Sequence, residues 1–265
     1  MKLNEKQQEY CRKTIEWERK KIKEGLGHYE EGTPRYHSDR KVWVKRHEKI
    51  CYAEYALNRD LDQLRDNVRK AMSAALPTMK WYISTRGSKF EAKPYDNGAV
   101  ADYEFAGIFM MYSVLESREK IVDFCQETNY GRYGGSKKVN SHRSILCRIL
   151  RAYFLEENSW LQEELEILKI MQVEQDTLLF LSVPKARWYP WLYHLFYGKD
   201  IEFEERAKGI ADWYRKRLAA SNDRANIETD TTNFLLLLTI KIATCYRGYG
   251  IQLEEEFLPL ELINC

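Results

Sequence analysis

The chain has 265 residues, and 44% of them are hydrophobic, so it can bury a substantial apolar core. Its N-terminal segment is charged and has no apolar stretch, which excludes a secretory signal peptide there and leads us to expect a cytoplasmic protein that binds no membrane. The six cysteines include no CxxC pair, so we expect buried thiols instead of disulfides or metal ligands.

The net charge of +2 conceals an uneven distribution along the chain. Residues 1–151 carry 30 basic and 21 acidic side chains, a net charge of +9, whereas residues 152–265 carry 12 and 19, a net charge of −7. Solvated helix faces that differ by chance would explain this division. The functional interpretation is an acidic surface that meets either a basic partner or, in a head-to-tail homodimer, a second copy of the chain.

Helical periodicity dominates the first half of the chain. It predicts helices at 4–24 and 41–59, and a third that begins after Asp60 as N-cap, with Gln63 as its capping-box partner, and ends near residue 83. Pro77 lies inside the third helix and should kink or split it. Residues 85–100 are irregular and leave room for a small β-hairpin, after which an almost entirely apolar helix (101–115) and a short helix (118–127) follow.

The second half reads as a run of short helices with short links, at 141–154, 160–170, 176–181, 186–197 and 201–218. The last helix, Asn233–Tyr246, is apolar on every face yet shorter than the ~20 residues that span a bilayer, so other helices should surround it. Gly248 and Gly250 suit a left-handed helix end. We therefore predict an all-α array of about ten short antiparallel helices around one or two buried apolar helices. It forms a single domain, 1–265, and a subdivision is open only near 129–140.

The sequence contains no recognisable catalytic or metal-binding pattern. The five histidines have no metal-ligand spacing, and neither a phosphate-binding glycine motif nor a nucleophile elbow occurs, so we expect no metal, no cofactor and no enzymatic activity. Arg187 and His194 have the six-residue separation found in certain helical ribonucleases. However, Pro190 lies between them and the segment is rich in Trp and Tyr, which favours an aromatic packing cluster; a ribonuclease stays the weaker alternative.

The basic N-terminal half raises the question of nucleic-acid binding. Lys20, Lys21 and Lys23 cluster in one short stretch, and five further cations lie within residues 40–49. Glutamates are interleaved with both groups, at Glu16, Glu18, Glu24 and Glu48. Because carboxylates oppose phosphate binding, we predict a solvated mixed-charge face and no nucleic-acid partner.

The closing segment TTNFLLLLTIKIATCYRGYGIQLEEEFLPLELI resembles the C-terminus of the bacterial immunity proteins grouped as immunity family 49. The resemblance rests on the apolar helix, on the pair Gly250 and Ile251, and on the ending FLPLEL. Upstream, the run YAEYALNR from Tyr52 is similar to the YALARAL region of that family. The immunity proteins that neutralise PoNe-type nuclease toxins are similar in the same places, but their YGYW segment is missing here.

Both resemblances imply an antitoxin without catalytic residues, which binds a cognate secreted effector of interbacterial competition, such as a type VI secretion toxin, and blocks it by steric occlusion. A cytosolic location favours a nuclease or a nucleotide-modifying toxin. The runner-up is a helical-repeat adaptor or chaperone, which would bind several unrelated partners.

Acidic side chains are the candidate toxin contacts, because a nuclease presents basic surfaces. The first candidate set is the triplet Glu254, Glu255 and Glu256, and the second is Glu202, Glu204 and Glu205. A merely solubilising surface is the alternative interpretation of both sets.

Overall fold

The computed structural model describes residues 3–25, 31–58, 60–85, 97–128, 142–175, 188–220, 231–253, 260–263 and 265. These residues form α-helices and contain no strand, which confirms the predicted all-α class. The helices are α1 (Glu5–Lys23), α2 (Pro34–Asn58), α3 (Leu61–Ser84), α4 (Asn97–Leu115), α5 (Arg118–Glu127), α6 (His142–Phe154), α7 (Asn158–Gln175), α8 (Trp188–Tyr197), α9 (Asp200–Ala220) and α10 (Thr231–Lys241). The hairpin was predicted within the irregular stretch 85–100, of which residues 97–100 belong to α4. Residues 86–96 and the segment 129–140 lie outside the described residues.

Ion pairs join α1 to α2. Glu18 of α1 is 4% exposed, and its carboxylate accepts hydrogen bonds from Arg46 at 2.5 Å and Lys49 at 3.0 Å. Glu54 of α2 is also buried and pairs with Arg19 of α1. The prediction of a solvated mixed-charge face is therefore wrong for Glu18, which is buried between the helices and neutralises neighbouring cations, and also for Glu48, which is 4% exposed. It holds for Glu16 and Glu24, which are exposed.

The boundaries of α2 and α3 differ from the predicted ones. Helix α2 begins at Pro34, seven residues before the predicted start, because proline suits the first helical position and Thr33 Oγ1 accepts the backbone N–H of Tyr36 at 3.3 Å. Helix α3 continues through Pro77 to Ser84, so Pro77 does not split it.

The predicted cap of α3 is confirmed in part. Asp60 accepts the backbone N–H of Gln63 at 3.0 Å, as expected of an N-cap residue. The side-chain amide of Gln63, however, donates to buried Glu54 at 3.1 Å. Gln63 therefore lies in the first turn of α3 and also provides a hydrogen bond to the buried carboxylate of Glu54.

The two apolar helices lie at the centre of the fold, as predicted. The described side chains of α4 from Phe105 to Leu115 are buried except for partly exposed Tyr112, and residues 234–243 of the last helical segment are all buried. Phe234 of α10 contacts the rings of Tyr52 and Tyr55 of α2, with ring centroids 5.5 and 5.9 Å apart. Helix α4 packs against α2, α3, α5, α6 and α10, and α10 packs against α4 and α9, so the two apolar helices contact most of their neighbours directly.

One lysine is buried at the end of α10. Lys241 is 0% exposed, and its Nζ donates to the carbonyl oxygens of Ser113 at 2.9 Å, Val114 at 3.1 Å and Glu116 at 2.5 Å. Those carbonyls lie at the C-terminus of α4, where the helix dipole favours a cation. Lys241 therefore fastens the carboxyl ends of the two central helices to each other.

Apolar stripes of the second-half helices face the core. Ile145, Leu146, Ile149 and Leu150 of α6 are buried, as are Phe203, Ala207, Ile210 and Tyr214 of α9. Between α6 and α7, Arg148 and Glu164 form a buried ion pair with a 2.8 Å separation of Nε and Oε1. Each of the ten helices among the described residues contributes to one core cluster of buried apolar residues.

The structure corrects the interpretation of the cysteines and of one glycine. Cys245 and Cys265 form a disulfide with Cα atoms 5.4 Å apart, whereas the other four cysteines are buried thiols, as predicted. Helix α10 continues into a π-helical turn, Ile242–Tyr246, and Gly248 has a positive φ of 69°. Gly250 does not have a positive φ, so only Gly248 fits the predicted left-handed end.

Candidate functional site

An exposed aromatic and acidic surface lies where α8 meets α9. Tyr193 and Tyr197 of α8 are 41% and 45% exposed, and Ile201 in the first turn of α9 is 69% exposed. Glu202 and Glu205 are exposed on the same turn and the next one. We call these five residues the junction surface. Apolar side chains exposed to this extent, beside charged ones, are typical of a protein-binding surface.

The tyrosines of α8 form a ridge along one side of the helix. Tyr189, Tyr193 and Tyr197 follow one another at four-residue steps, and their ring centroids are 5.7 and 5.8 Å apart. Residues four apart lie on the same helix face, so the rings support one another in this row. Partial burial raises the pKa of Tyr197, whose hydroxyl is neutral at pH 7 with or without that shift.

The turn between α8 and α9 is tightly built. A Cβ added at Gly198 would lie 2.7 Å from the Cα of His194, so this position requires glycine. Glu202 accepts the backbone N–H of Lys199 at 3.0 Å and thereby caps α9. From the C-terminal segment, the hydroxyl of Tyr249 donates to the carbonyl of Gly198 at 2.9 Å. These contacts hold the junction surface in one conformation before any partner binds.

The structure brings together two of the three glutamates predicted on α9. Successive residues of an α-helix are 100° apart, so Glu202 and Glu205 lie on neighbouring parts of one face while Glu204 points away. The side chain of Glu204 is 17% exposed and pairs with Lys208 at 2.5 Å. The hydrogen bond from the backbone N–H of Lys199 lowers the pKa of Glu202, which keeps it ionised beside the tyrosines.

The other predicted set, Glu254, Glu255 and Glu256, lies outside the described residues. The chain that leads to it is described. Leu253 is 5% exposed, and the ring of Tyr249 lies 6.3 Å from that of Phe203 of α9. The C-terminal segment therefore packs against α9 at Tyr249.

Sequence reasoning missed the aromatic part of the junction surface. It assigned Trp188, Tyr189, Trp191 and Tyr193 to one packing cluster, but Trp188 and Trp191 are buried while Tyr193 is exposed. The four-residue spacing of the tyrosines, out of phase with the buried tryptophans, is the signal that could have separated the two faces.

The ribonuclease alternative gains no support from the described geometry. Arg187 lies outside the described residues. His194 lies 3.2 Å from a carboxylate oxygen of Glu202 and packs edge-on against the ring of Tyr193. Among the described residues, no group of three His, Cys, Asp or Glu side chains could hold a metal ion. Within the same part of the chain, every helix is too short or too polar to cross a membrane.

Comparison of the chain with known protein families, curated proteins and solved structures finds no match. The resemblance to immunity family 49 therefore stays a prediction, and the function has to be argued from the junction surface and from the charges around it.

Proposed function

We propose that this chain is an immunity protein that binds a cognate bacterial toxin with a basic surface, and that it inhibits the toxin by covering its active site. The toxin acts in the cytosol, as a nuclease or a nucleotide-modifying enzyme does, and the inhibitor needs no catalysis and no cofactor. The observation that carries the proposal is the junction surface: two tyrosines and an isoleucine are exposed beside the carboxylates of Glu202 and Glu205.

The exposed apolar side chains supply the anchors that tight binding needs. Inhibition inside the producing cell requires about nanomolar affinity, which corresponds to roughly 12 kcal/mol. A few buried aromatic or arginine side chains provide most of such an energy, while rim charges add little. Tyr193 and Tyr197 fit this role because they are already ordered in a ridge and lose little side-chain entropy on binding.

The charges around the anchors select a basic partner. Residues 199–205 contain four carboxylates and one lysine, a net charge of −3. Glu204 forms an ion pair with Lys208, whereas Glu205 forms no ion pair with another of the described residues. A surface of this sign speeds association with a basic nuclease and repels nucleic acid.

The test is protection of bacteria that produce the toxin domain encoded beside this chain's gene. Ile201→Ser and Tyr197→Ser should weaken toxin binding by at least about tenfold each, the order expected when a central apolar anchor is lost. Val42→Ser is the matched control, since Val42 is a 44% exposed apolar residue on α2, far along the chain from the junction. Calorimetry gives the affinities, and colony survival gives the protection.

Two results would contradict the proposal. If the wild-type chain neither binds nor neutralises the neighbouring toxin, the immunity function is wrong. If wild-type binding is tight but both junction variants bind as the Val42→Ser control does, the toxin contacts another surface. Capture of many unrelated proteins in place of one toxin would favour the adaptor interpretation.

A further inference from the structure

A groove with basic walls runs along α1 on the other half of the chain. It has a volume of about 730 Å³, within the range of roughly 300–1,000 Å³ that is usual for binding clefts. The apolar residues that line it are Ile15 and Leu57. Its walls carry four cations and two carboxylates, a net charge of +2: Arg12, Arg19, Lys20, Lys23, Glu16 and Glu24. We call this the basic groove.

Two lysines of the groove keep their charge available. Arg19 is held by the buried carboxylate of Glu54, and Glu24 is paired with Lys21 at 2.6 Å. Lys20 and Lys23 are exposed and make no ion pair with any described residue. Both ammonium groups can therefore pair with carboxylates of an acidic surface.

The basic groove and the junction surface complement each other. The groove is lined by four cations of α1 together with apolar Ile15 and Leu57, and the junction surface has an apolar ridge, Tyr197 and Ile201, beside negative side chains. Glu16 and Glu24 interrupt the positive walls at intervals. They would repel a continuous phosphate backbone but leave room for separate carboxylates, which favours an acidic protein surface over nucleic acid.

We infer that the occupant of the basic groove is the junction surface of a second copy of this chain. In a two-fold dimer, the groove of each copy receives the junction surface of the other, so that both contacts form at once and no site is left to extend a filament. The inference goes beyond the proposed function. Toxin and second copy compete for one surface, and the dimer is the toxin-free form.

Sedimentation velocity of the purified full-length chain without toxin tests the dimer. The wild type should associate at low ionic strength and dissociate as salt is added, because exposed charges are screened. Reversing either surface, by Lys20→Glu with Lys23→Glu or by Glu202→Lys with Glu205→Lys, should weaken self-association by at least about tenfold. Ile201→Ser should weaken it without any change of charge. Lys70→Glu with Lys216→Glu, two exposed lysines elsewhere, is the matched control.

Mixing the two charge-reversed proteins is the decisive experiment. In a mixed dimer, the reversed groove of one copy faces the reversed junction surface of the other, while the two unaltered surfaces face each other, so both contacts are restored. We expect the mixture to dimerise as the wild type does. Circular dichroism shows beforehand that each variant is folded. If the variant with Glu202→Lys and Glu205→Lys is not folded, the single substitutions Glu205→Lys and Lys23→Glu replace the two pairs.

Each contrary result overturns the inference. A wild-type chain that is monomeric at every concentration has no such dimer. A dimer that survives both charge reversals uses another surface, and a mixture that stays monomeric shows that the two surfaces do not bind each other. None of these results bears on toxin inhibition, which a monomer can perform, so failure of the dimer and failure of the proposed function are distinguishable.

Discussion

Replacing Lys241 by methionine should remove a pH-dependent term from the stability of the protein. Lys241 is fully buried, and burial lowers its pKa from 10.5 to about 8. Between these two pH values the unfolded chain binds the proton that the folded chain has released. The free energy of unfolding of the wild type therefore rises with pH across this window and is lowest, with respect to this group, below pH 8.

The size of the effect follows from the pKa shift. Each pH unit between about 8 and 10.5 should add ~1.4 kcal/mol to the wild-type free energy of unfolding, or about 3 kcal/mol over the whole window. The methionine variant lacks this gain. It also leaves the carbonyls of Ser113, Val114 and Glu116 without their donor, at a cost of ~1–3 kcal/mol for each carbonyl that finds no other donor.

Urea denaturation of both proteins at several pH values from 7 to 10 measures this difference. We expect the methionine variant to be the less stable protein at alkaline pH, with a deficit that grows as the pH rises above 8. Lys216→Met, which removes an exposed lysine of α9, should show no such growth. A deficit of Lys241→Met that is constant with pH would refute the assignment of Lys241 as a buried, titrating helix cap.

Three further predictions concern stability. Arg148→Met should lower the free energy of unfolding, measured by urea denaturation, by ~3–5 kcal/mol, because the buried carboxylate of Glu164 loses the cation that pairs with it. The double variant Arg148→Met with Glu164→Leu should recover most of this loss. If the single and the double variant lose the same amount of stability, this account is contradicted. Cys265→Ser should lower the free energy of unfolding by about 3 kcal/mol, as expected for opening a loop of this length, and a reductant should lower that of the wild type equally while leaving the variant unchanged. Burial lowers the pKa of His47 to about 4, so stability should fall as the pH falls from about 6.5 to 4, and His47→Phe should flatten the profile of unfolding against pH.

The positions of the helices could be predicted from the sequence because they depend on local spacing. Apolar residues at helical intervals placed α5 at Arg118–Glu127 and identified α4 and α10 as the buried centre. Boundaries were less accurate where a capping contact decided them, as at Pro34, whose neighbour Thr33 supplies the cap.

The candidate site could be predicted only in part. Glu202 and Glu205 were chosen for their charge, and the structure places both on one exposed face. Glu204 was chosen on the same ground but points away and pairs with Lys208. Ile201 and Tyr197 were overlooked because an apolar side chain in a helical pattern is assumed to face the core, and its exposure is visible only when the neighbouring helices are in place.

The all-α class, the two central helices and the division of charge between the halves can be recognised without a structure, since they follow from composition and from periodicity along one helix. Which charges are paired inside the fold becomes visible only when the helices are packed together. Glu18 and Glu205 look alike in the sequence, yet Glu18 is buried between Arg46 and Lys49 whereas Glu205 faces solvent. The reason is that burial and ion pairing depend on residues distant in the chain, and a surface for a partner consists of the groups that those contacts leave exposed.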